Sequence, residues 1–202
     1  MPKIVLVKTS DIKESDVASL SLARQEKASR CVRSKDRLLS LAAGIALDKG
    51  LQEYGLREQE AAILRNEHGK PYLRDYPDIH FNLSHSGDLA LAVFDEKEIG
   101  CDIEKIRPFK EEVVKRCFSK EEQEYIGKAK GKDEAFTRIW VYKESFIKAL
   151  GIGLGMDLTT FSAIPTANGV LLKQSADPRN WAIEEIEIEG YIAAICKQAQ
   201  KP

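Results

Sequence analysis

The segment GCDIE, residues 100–104, sets two carboxylates two positions apart. Alternate side chains of an extended strand share a face, so Asp102 and Glu104 project together while Ile103 turns to the core. Two like charges on one face repel unless a cation or base neutralises them. An all-oxygen pair suits Mg2+, which takes few carboxylates and completes its shell with water and phosphate oxygens. A strand end carrying two solvated acids has the same appearance.

A second constellation lies in WVYKESFIKAL. Trp140, Glu144 and Lys148 follow i, i+4, i+8 spacing and form one stripe on a helix, beside an apolar arc. Glu144 and Lys148 also satisfy the rule for an ordinary helical ion pair. Placed at the edge of a buried face, Glu144 is a third carboxylate for a metal site begun by Asp102 and Glu104, and Lys148 a cation for a phosphate.

The third is FNLSHSG. Ser84 and His85 are neighbours on a strand and face opposite ways, and no GxSxG elbow exists, so a hydrolase triad is excluded. His85 at the mouth of a turn suits phosphate contact or proton movement; a turn histidine bonded to its neighbours is the plain alternative. His80 and His85 face opposite ways and make no zinc pair, and His68 falls in a polar loop. Basic residues concentrate at Arg24, Lys27, Arg30, Arg33, Lys35 and Arg37, with Lys70 in HGKP. Such a cluster fits a solvated face or a phosphate-rich ligand. Neither GxGxxG nor a Walker loop is present.

The elements that must hold these residues read as follows. Lys3–Lys8 is a strand, and 21–54 is helical with a break near 32–35. Ala61–Arg65 is a strand, followed by a polar loop over 66–78. His80–Ser84, Leu89–Asp95 and Ile99–Glu104 are spaced as a β-meander. Ser119 with Glu122 three residues on makes a capping box that opens a helix. A long helix covers Lys132–Leu150, with Phe136, Ile139, Lys143, Phe146, Ile147 and Leu150 on one arc. Leu158–Ile164, Val170–Lys173, Trp181–Ile188 and Tyr191–Cys196 are strands. The order is α+β in two successive parts, and the sequence itself shows no repeat.

The 202 residues carry 31 basic and 32 acidic side chains, a net charge of −1, which argues against a general polyanion binder. No apolar run reaches the roughly 18 residues of a membrane span, and no signal peptide is expected at the N-terminus. Four scattered cysteines fit reduced thiols in a cytoplasmic protein.

Taken in order, HGKPYL, FNLSHSG, IGCDIEKIRP, FSKEEQEYI and WVYKESFIKALGIGL resemble the 4′-phosphopantetheinyl transferases, in their larger two-half class. The resemblance implies two similar α+β halves related by a pseudo-twofold axis, antiparallel sheets packed with helices, and a ligand cleft between the halves. Residues 1–101 would form the coenzyme A nucleotide side and 102–202 the metal and phosphate side. It implies transfer of the phosphopantetheine arm from coenzyme A to a serine of an apo acyl or peptidyl carrier protein, releasing 3′,5′-adenosine bisphosphate.

By the same resemblance, Asp102, Glu104 and Glu144 match Mg2+ ligands. Lys148 and His85 match diphosphate contacts, and Ser84 and Lys70 line the nucleotide. Arg24 and Lys27 fall where the 3′-phosphate is met. Leu39 stands where many members have arginine, with Arg37 as a substitute. Glu122 matches a candidate general base, although its capping-box place explains it equally well. The stretch Phe109–Ile126, with Lys110, Lys115, Arg116 and Lys120 beside Val113, Val114 and Phe118, is a candidate carrier-docking surface. A monomer is expected, with no nucleic-acid or membrane partner. A Mg2+-dependent phosphohydrolase and a non-catalytic coenzyme A- or carrier-binding module are the rival readings.

Overall fold

The β-branched run KIVLVK forms β1 (Lys3–Lys8), and the chain then turns through three helices: α1 (Glu14–Ala18), α2 (Leu22–Ser29) and α3 (Ser34–Gln52). The computed structural model describes residues 1–199. Ser21 caps α2 by accepting from the Arg24 amide. The alanine- and leucine-rich face of α3 packs on a sheet. A short hairpin, β2 (Ile63–Arg65) and β3 (Pro71–Leu73), precedes β4 (His80–Ser86) and β5 (Leu89–Asp95). β1, β5 and β4 assemble in that order, antiparallel throughout.

The second half repeats the plan. β6 (Ile99–Lys105) leads to α4 (Glu111–Cys117), α5 (Lys120–Lys128) and α6 (Lys132–Leu150). The hairpin β7 (Ser162–Thr166) and β8 (Gly169–Lys173) precedes β9 (Trp181–Ile188) and β10 (Tyr191–Gln198). The sheet order is β6-β10-β9, the same first–last–penultimate arrangement as β1-β5-β4. The main helix has 19 residues in each half. The halves share this order of elements although their sequences show no repeat. The two series meet in the turn 96–98, so residue 101 lies inside β6.

Three expectations change. β4, β5 and β6 are not a meander: β5 pairs with β4 and β1, whereas β6 pairs with β10 in the other sheet. The charged turn after Asp95 carries the chain across to a second layer rather than back along the first. The polar loop contains β3, because Arg65 and Pro71 close a hairpin around Gly69. Leu158–Thr160 is a 3-10 turn, and β7 begins only at Ser162.

Each half has its own core, and a third core lies between the sheets, where Leu89, Leu91 and Val93 meet Ile99, Cys101, Ile103, Ala193 and Ile195. At the seam, β4 supplies side chains where a neighbouring strand would supply carbonyls. The amides of Cys101, Ile103 and Lys105 donate to Asn82 Oδ1, Ser84 Oγ and Ser86 Oγ at 3.1, 3.3 and 3.2 Å. The period of two on both strands keeps the buried amides of β6 satisfied without a continuous sheet. Tyr191 closes the same seam from β10, its hydroxyl bonded to the Asp88 carboxylate and accepting from the Asp88 amide. The four cysteines are free thiols. Among the described residues no helix is long and apolar enough to cross a membrane.

Candidate functional site

β4, β6 and α6 converge on a cavity of about 330 Å³ lined by Leu83, Ser84, His85, Asp102, Glu104, Trp140, Glu144 and Lys148. Alternation on β6 turns Gly100, Asp102 and Glu104 toward α6, while Ile103 is buried in the core between the sheets. Gly100 makes this approach possible. A Cβ there would stand 2.2 Å from both the Ser145 carbonyl oxygen and the Ala149 nitrogen.

Asp102 is nearly inaccessible, with 4% of its surface exposed. Its Oδ1 accepts from Lys148 Nζ at 2.6 Å and from Ser84 Oγ at 2.7 Å, whereas Oδ2 is buried with no partner. Lys148 Nζ also donates to Ser84 Oγ at 3.0 Å. Burial opposes the lysine charge, but Asp102 outweighs it, so the ammonium is held above its ordinary pKa. Glu104 accepts from Ser86 Oγ at 2.6 Å, and Arg107 Nη1 lies 4.0 Å from its other oxygen. Burial raises the pKa of Glu144, and the charges of Asp102 and Glu104 raise it further. His85 goes the other way: withdrawal from water, then the charges of Lys148 and Lys27, lower its pKa.

The donor set is oxygen only, one buried carboxylate oxygen lacks a partner, and the third acid feels the other two. Those features fit a hard divalent cation. Among the described residues, no three acidic, histidine or cysteine side chains already close round one point; Lys148 occupies the Asp102 oxygen instead.

A neighbouring cavity of about 400 Å³ continues past Glu144 and Lys148 to His68, Gly69, Lys70, Pro71, Gly151 and Gly153. Lys70 lines it with its stem, but its ammonium is engaged, donating to Glu98 at 2.6 Å and to the Ala149 carbonyl at 2.8 Å. Asn66 donates to the Gly151 carbonyl at 2.9 Å. The HGKP loop thus caps the C-terminus of α6, satisfying carbonyls that a helix end leaves orphaned.

Arg24 and Lys27 share α2. The Arg24 stem crosses α3 at Gly44, and its Nε donates to Glu58 at 3.2 Å. Glu58 also accepts from the Ser21 amide at 2.8 Å, so one buried acid holds both the helix start and its arginine. Partial desolvation and the charges of Arg24 and Arg65 lower the pKa of Lys27. Arg37 is exposed on the first turn of α3, and Leu39 is buried.

Glu122 is not brought to the cavity. Its side chain is fully buried and accepts from Lys143 Nζ at 2.8 and 2.7 Å, from the Ala163 amide at 2.9 Å and from the Ser119 amide at 2.8 Å. The capping box with Ser119 is present. A carboxylate with every position taken and no path to the cavity is not placed to accept a substrate proton. The docking surface also changes. Val114 and Phe118 belong to the core, with Val113 packed against it, leaving Lys110, Lys115, Arg116 and Lys120 exposed.

Sequence reasoning missed Ser86, Glu58 and Arg107. The first had a signal: Asn82, Ser84 and Ser86 are polar at every second position of a strand beside a buried neighbour. Glu58 had none, because 34 residues separate it from Arg24.

Residues 98–196 match the profile of the 4′-phosphopantetheinyl transferase superfamily, and residues 10–96 match that described as 4′-phosphopantetheinyl transferase, N-terminal. The chain is 35% identical over 189 residues to the 4′-phosphopantetheinyl transferase Sfp of Bacillus subtilis, covering 91% of this chain and 84% of that one. It is 30% identical over 185 residues to the 4′-phosphopantetheinyl transferase gsp of Aneurinibacillus migulanus, covering 89% and 76%. The holo-[acyl-carrier-protein] synthase of Thermotoga maritima superposes on 52% of this chain and 64% of its own, with a TM-score of 0.46 at 19% identity.

Proposed function

The chain belongs to the 4′-phosphopantetheinyl transferase superfamily, and on that premise we propose that the cavity between β4, β6 and α6 is where coenzyme A gives up its phosphopantetheine arm. The enzyme transfers that arm to a serine hydroxyl of an apo carrier protein. The serine oxygen forms a bond to phosphorus, the bond from that phosphorus to the adenosine bisphosphate breaks, and the latter departs with the electron pair. Such transfers are accelerated mainly by alignment and charge neutralisation. The single observation that carries the assignment is the meeting of Asp102, Glu104, Glu144, Lys148, Ser84 and His85, from both halves, on one cavity.

Asp102, Glu104 and Glu144 are the residues to hold Mg2+, which when bound would neutralise charge on diphosphate and leaving group. Lys148 supplies a fixed ammonium to the diphosphate, exchanging its bond to Asp102 for one to phosphate oxygen. His85, held neutral in the free protein, gains a proton as the diphosphate approaches. Ser84 orients Lys148 and Asp102 rather than acting by itself. Arg24 and Lys27 meet the 3′-phosphate, with Glu58 fixing the direction of Arg24. Lys70 acts by fixing the end of α6, and Arg37 stands free for the outer nucleotide. The serine proton does not go to Glu122; it is lost to water or taken up by the departing adenosine bisphosphate, which balances the step.

The N-terminal half, β1 to β5, presents the nucleotide side, and the half that begins with β6, rather than at residue 102, the metal side. Exposed Lys110, Lys115, Arg116 and Lys120 give an acidic carrier a complementary surface. The two halves build the cleft within one chain, which suits a monomer, and four free thiols suit the cytoplasm.

Intact mass spectrometry of an apo carrier incubated with protein, coenzyme A and Mg2+ tests this. The carrier gains the phosphopantetheine mass, and the gain disappears with EDTA and with Glu104→Ala. Cleavage of coenzyme A with no carrier modification would overturn the assignment in favour of a hydrolase.

A further inference from the structure

Lys143 is the neighbour in sequence of a cavity residue, yet it points away from the cavity into the core. Its ammonium, 1% exposed, makes three hydrogen bonds: to both oxygens of Glu122 and to the Phe161 carbonyl at 2.8 Å. It also lies 4.1 Å from the Phe161 ring centroid. Glu122, 0% exposed, ties the same point to the Ser119 amide at the start of α5 and the Ala163 amide in β7. Every donor and acceptor of the pair is used. A buried pair of this kind is a weak source of stability, because desolvation offsets the attraction. What it fixes is geometry: with no water to replace them, its bonds break together if α6 turns.

The consequence for the cavity follows from helix geometry. At about 100° per residue, Glu144 stands about 100° round the axis from Lys143, and Lys148 about 140°. Gly100 sets how near α6 comes to β6 and the apolar face of α6 packs into the core, but neither contact has the directionality of buried hydrogen bonds. A turn of about 20° would carry a side-chain tip roughly 5–6 Å from the axis through about 2 Å. That exceeds the tolerance of a site that must be held within about 0.5 Å.

We infer that Glu122 and Lys143 are positioning residues, a rotational lock on α6 that aims Glu144 at Asp102 and Glu104. This rests on the metal-site reading above. The pair touches neither metal nor substrate, and it sets the affinity for the cation rather than for coenzyme A or carrier.

The test titrates Mn2+ into the coenzyme A-loaded protein and follows the electron paramagnetic resonance of the free ion. The neutral double variant Glu122→Gln with Lys143→Met, confirmed folded by near-ultraviolet circular dichroism, loses about ten-fold in Mn2+ affinity. Its affinity for coenzyme A in EDTA is unchanged, and in transfer assays kcat falls while KM for the carrier holds. Should the double variant not fold, Glu122→Asp serves, since it keeps the charge pair with Lys143 but shortens its reach, and about a three-fold loss is expected. Glu121→Gln, next in sequence but on the surface with Lys173, leaves Mn2+ affinity unaltered. A folded variant that binds Mn2+ as tightly as wild type overturns the inference alone. A wild-type protein that binds no Mn2+ overturns the metal-site reading with it.

Discussion

Gly100 and Ser145 meet backbone to backbone: a Cβ on Gly100 would lie 2.2 Å from the Ser145 carbonyl oxygen. No side chain separates β6 from α6 at this point. The contact lies just before Asp102 on the strand and just after Glu144 on the helix. The strand and helix that carry the acids are thereby set at a fixed spacing. Gly100→Ala must push α6 off the strand or distort the strand. Overpacking of this kind costs about 2 kcal/mol or more, and denaturant unfolding reads it directly. Transfer activity drops at least ten-fold even at temperatures where the variant is folded. A variant with wild-type stability would show that α6 yields at no cost.

Glu144 is held in the cavity against its electrostatic preference. Burial and the charges of Asp102 and Glu104 raise its carboxyl pKa, so near neutral pH its ionised form destabilises the metal-free native state. Removing the charge relieves that opposition. Glu144→Gln is therefore expected to stabilise the metal-free protein by about 1 kcal/mol, the usual size of such relief at a functional site, while abolishing carrier modification. Melting curves in EDTA at pH 7.5 decide it, and a lower melting temperature for the variant would contradict the argument.

Local patterns made much of this legible. KIVLVK, the strand Leu89–Asp95 and the helix Lys132–Leu150 have the bounds their periodicities predict, because each buries a face whose spacing is written in the sequence. The stripe through Glu144 and Lys148 and the alternation at Asp102 and Glu104 meet on one cavity for the same reason. What spacing could not reveal depends on distant partners. Glu122 looks like a cap, and is one, but its ion pair with Lys143 requires α5 to lie against α6. The strand that follows Asp95 pairs with β10, near the other end of the chain, so adjacency in sequence suggested a meander that does not form. Lys70 carries a charge suited to phosphate, but the nearby carbonyl of Ala149 claims it first.

Glu58 shows how an acid can serve a cluster of bases. Its carboxylate receives Arg24 Nε and the amide and hydroxyl of Ser21. Glu58→Gln replaces a charge-assisted contact with a neutral one and turns a donor toward Arg24. The expected cost to stability is about 1–3 kcal/mol, with a several-fold loss in affinity for coenzyme A. For 3′-dephospho-coenzyme A the variant and the wild type should differ little, since Arg24 then has no phosphate to meet. Calorimetric titration with both ligands makes the comparison, and an equal loss for both would remove Arg24 from the 3′-phosphate.

His85 lies on the exposed edge of the cavity with a pKa below the ordinary imidazole value, lowered first by withdrawal from water and then by Lys148 and Lys27. In the free protein it is therefore neutral at pH 7. A diphosphate beside it stabilises the imidazolium and raises the pKa on binding. Linkage fixes the sign: where the complex holds more protons than the free protein, affinity rises as pH falls. Coenzyme A binding in EDTA is thus expected to strengthen about three-fold between pH 7.5 and 6, which is what an imidazole roughly ten times more basic in the complex would give over that window. The 3′-phosphate itself takes up a proton near about pH 6, which weakens binding to any cluster of bases and partly masks the gain. His85→Asn removes the imidazole and leaves that second effect in place. The difference between the two pH profiles isolates the histidine, and parallel profiles would mean that it does not touch the diphosphate.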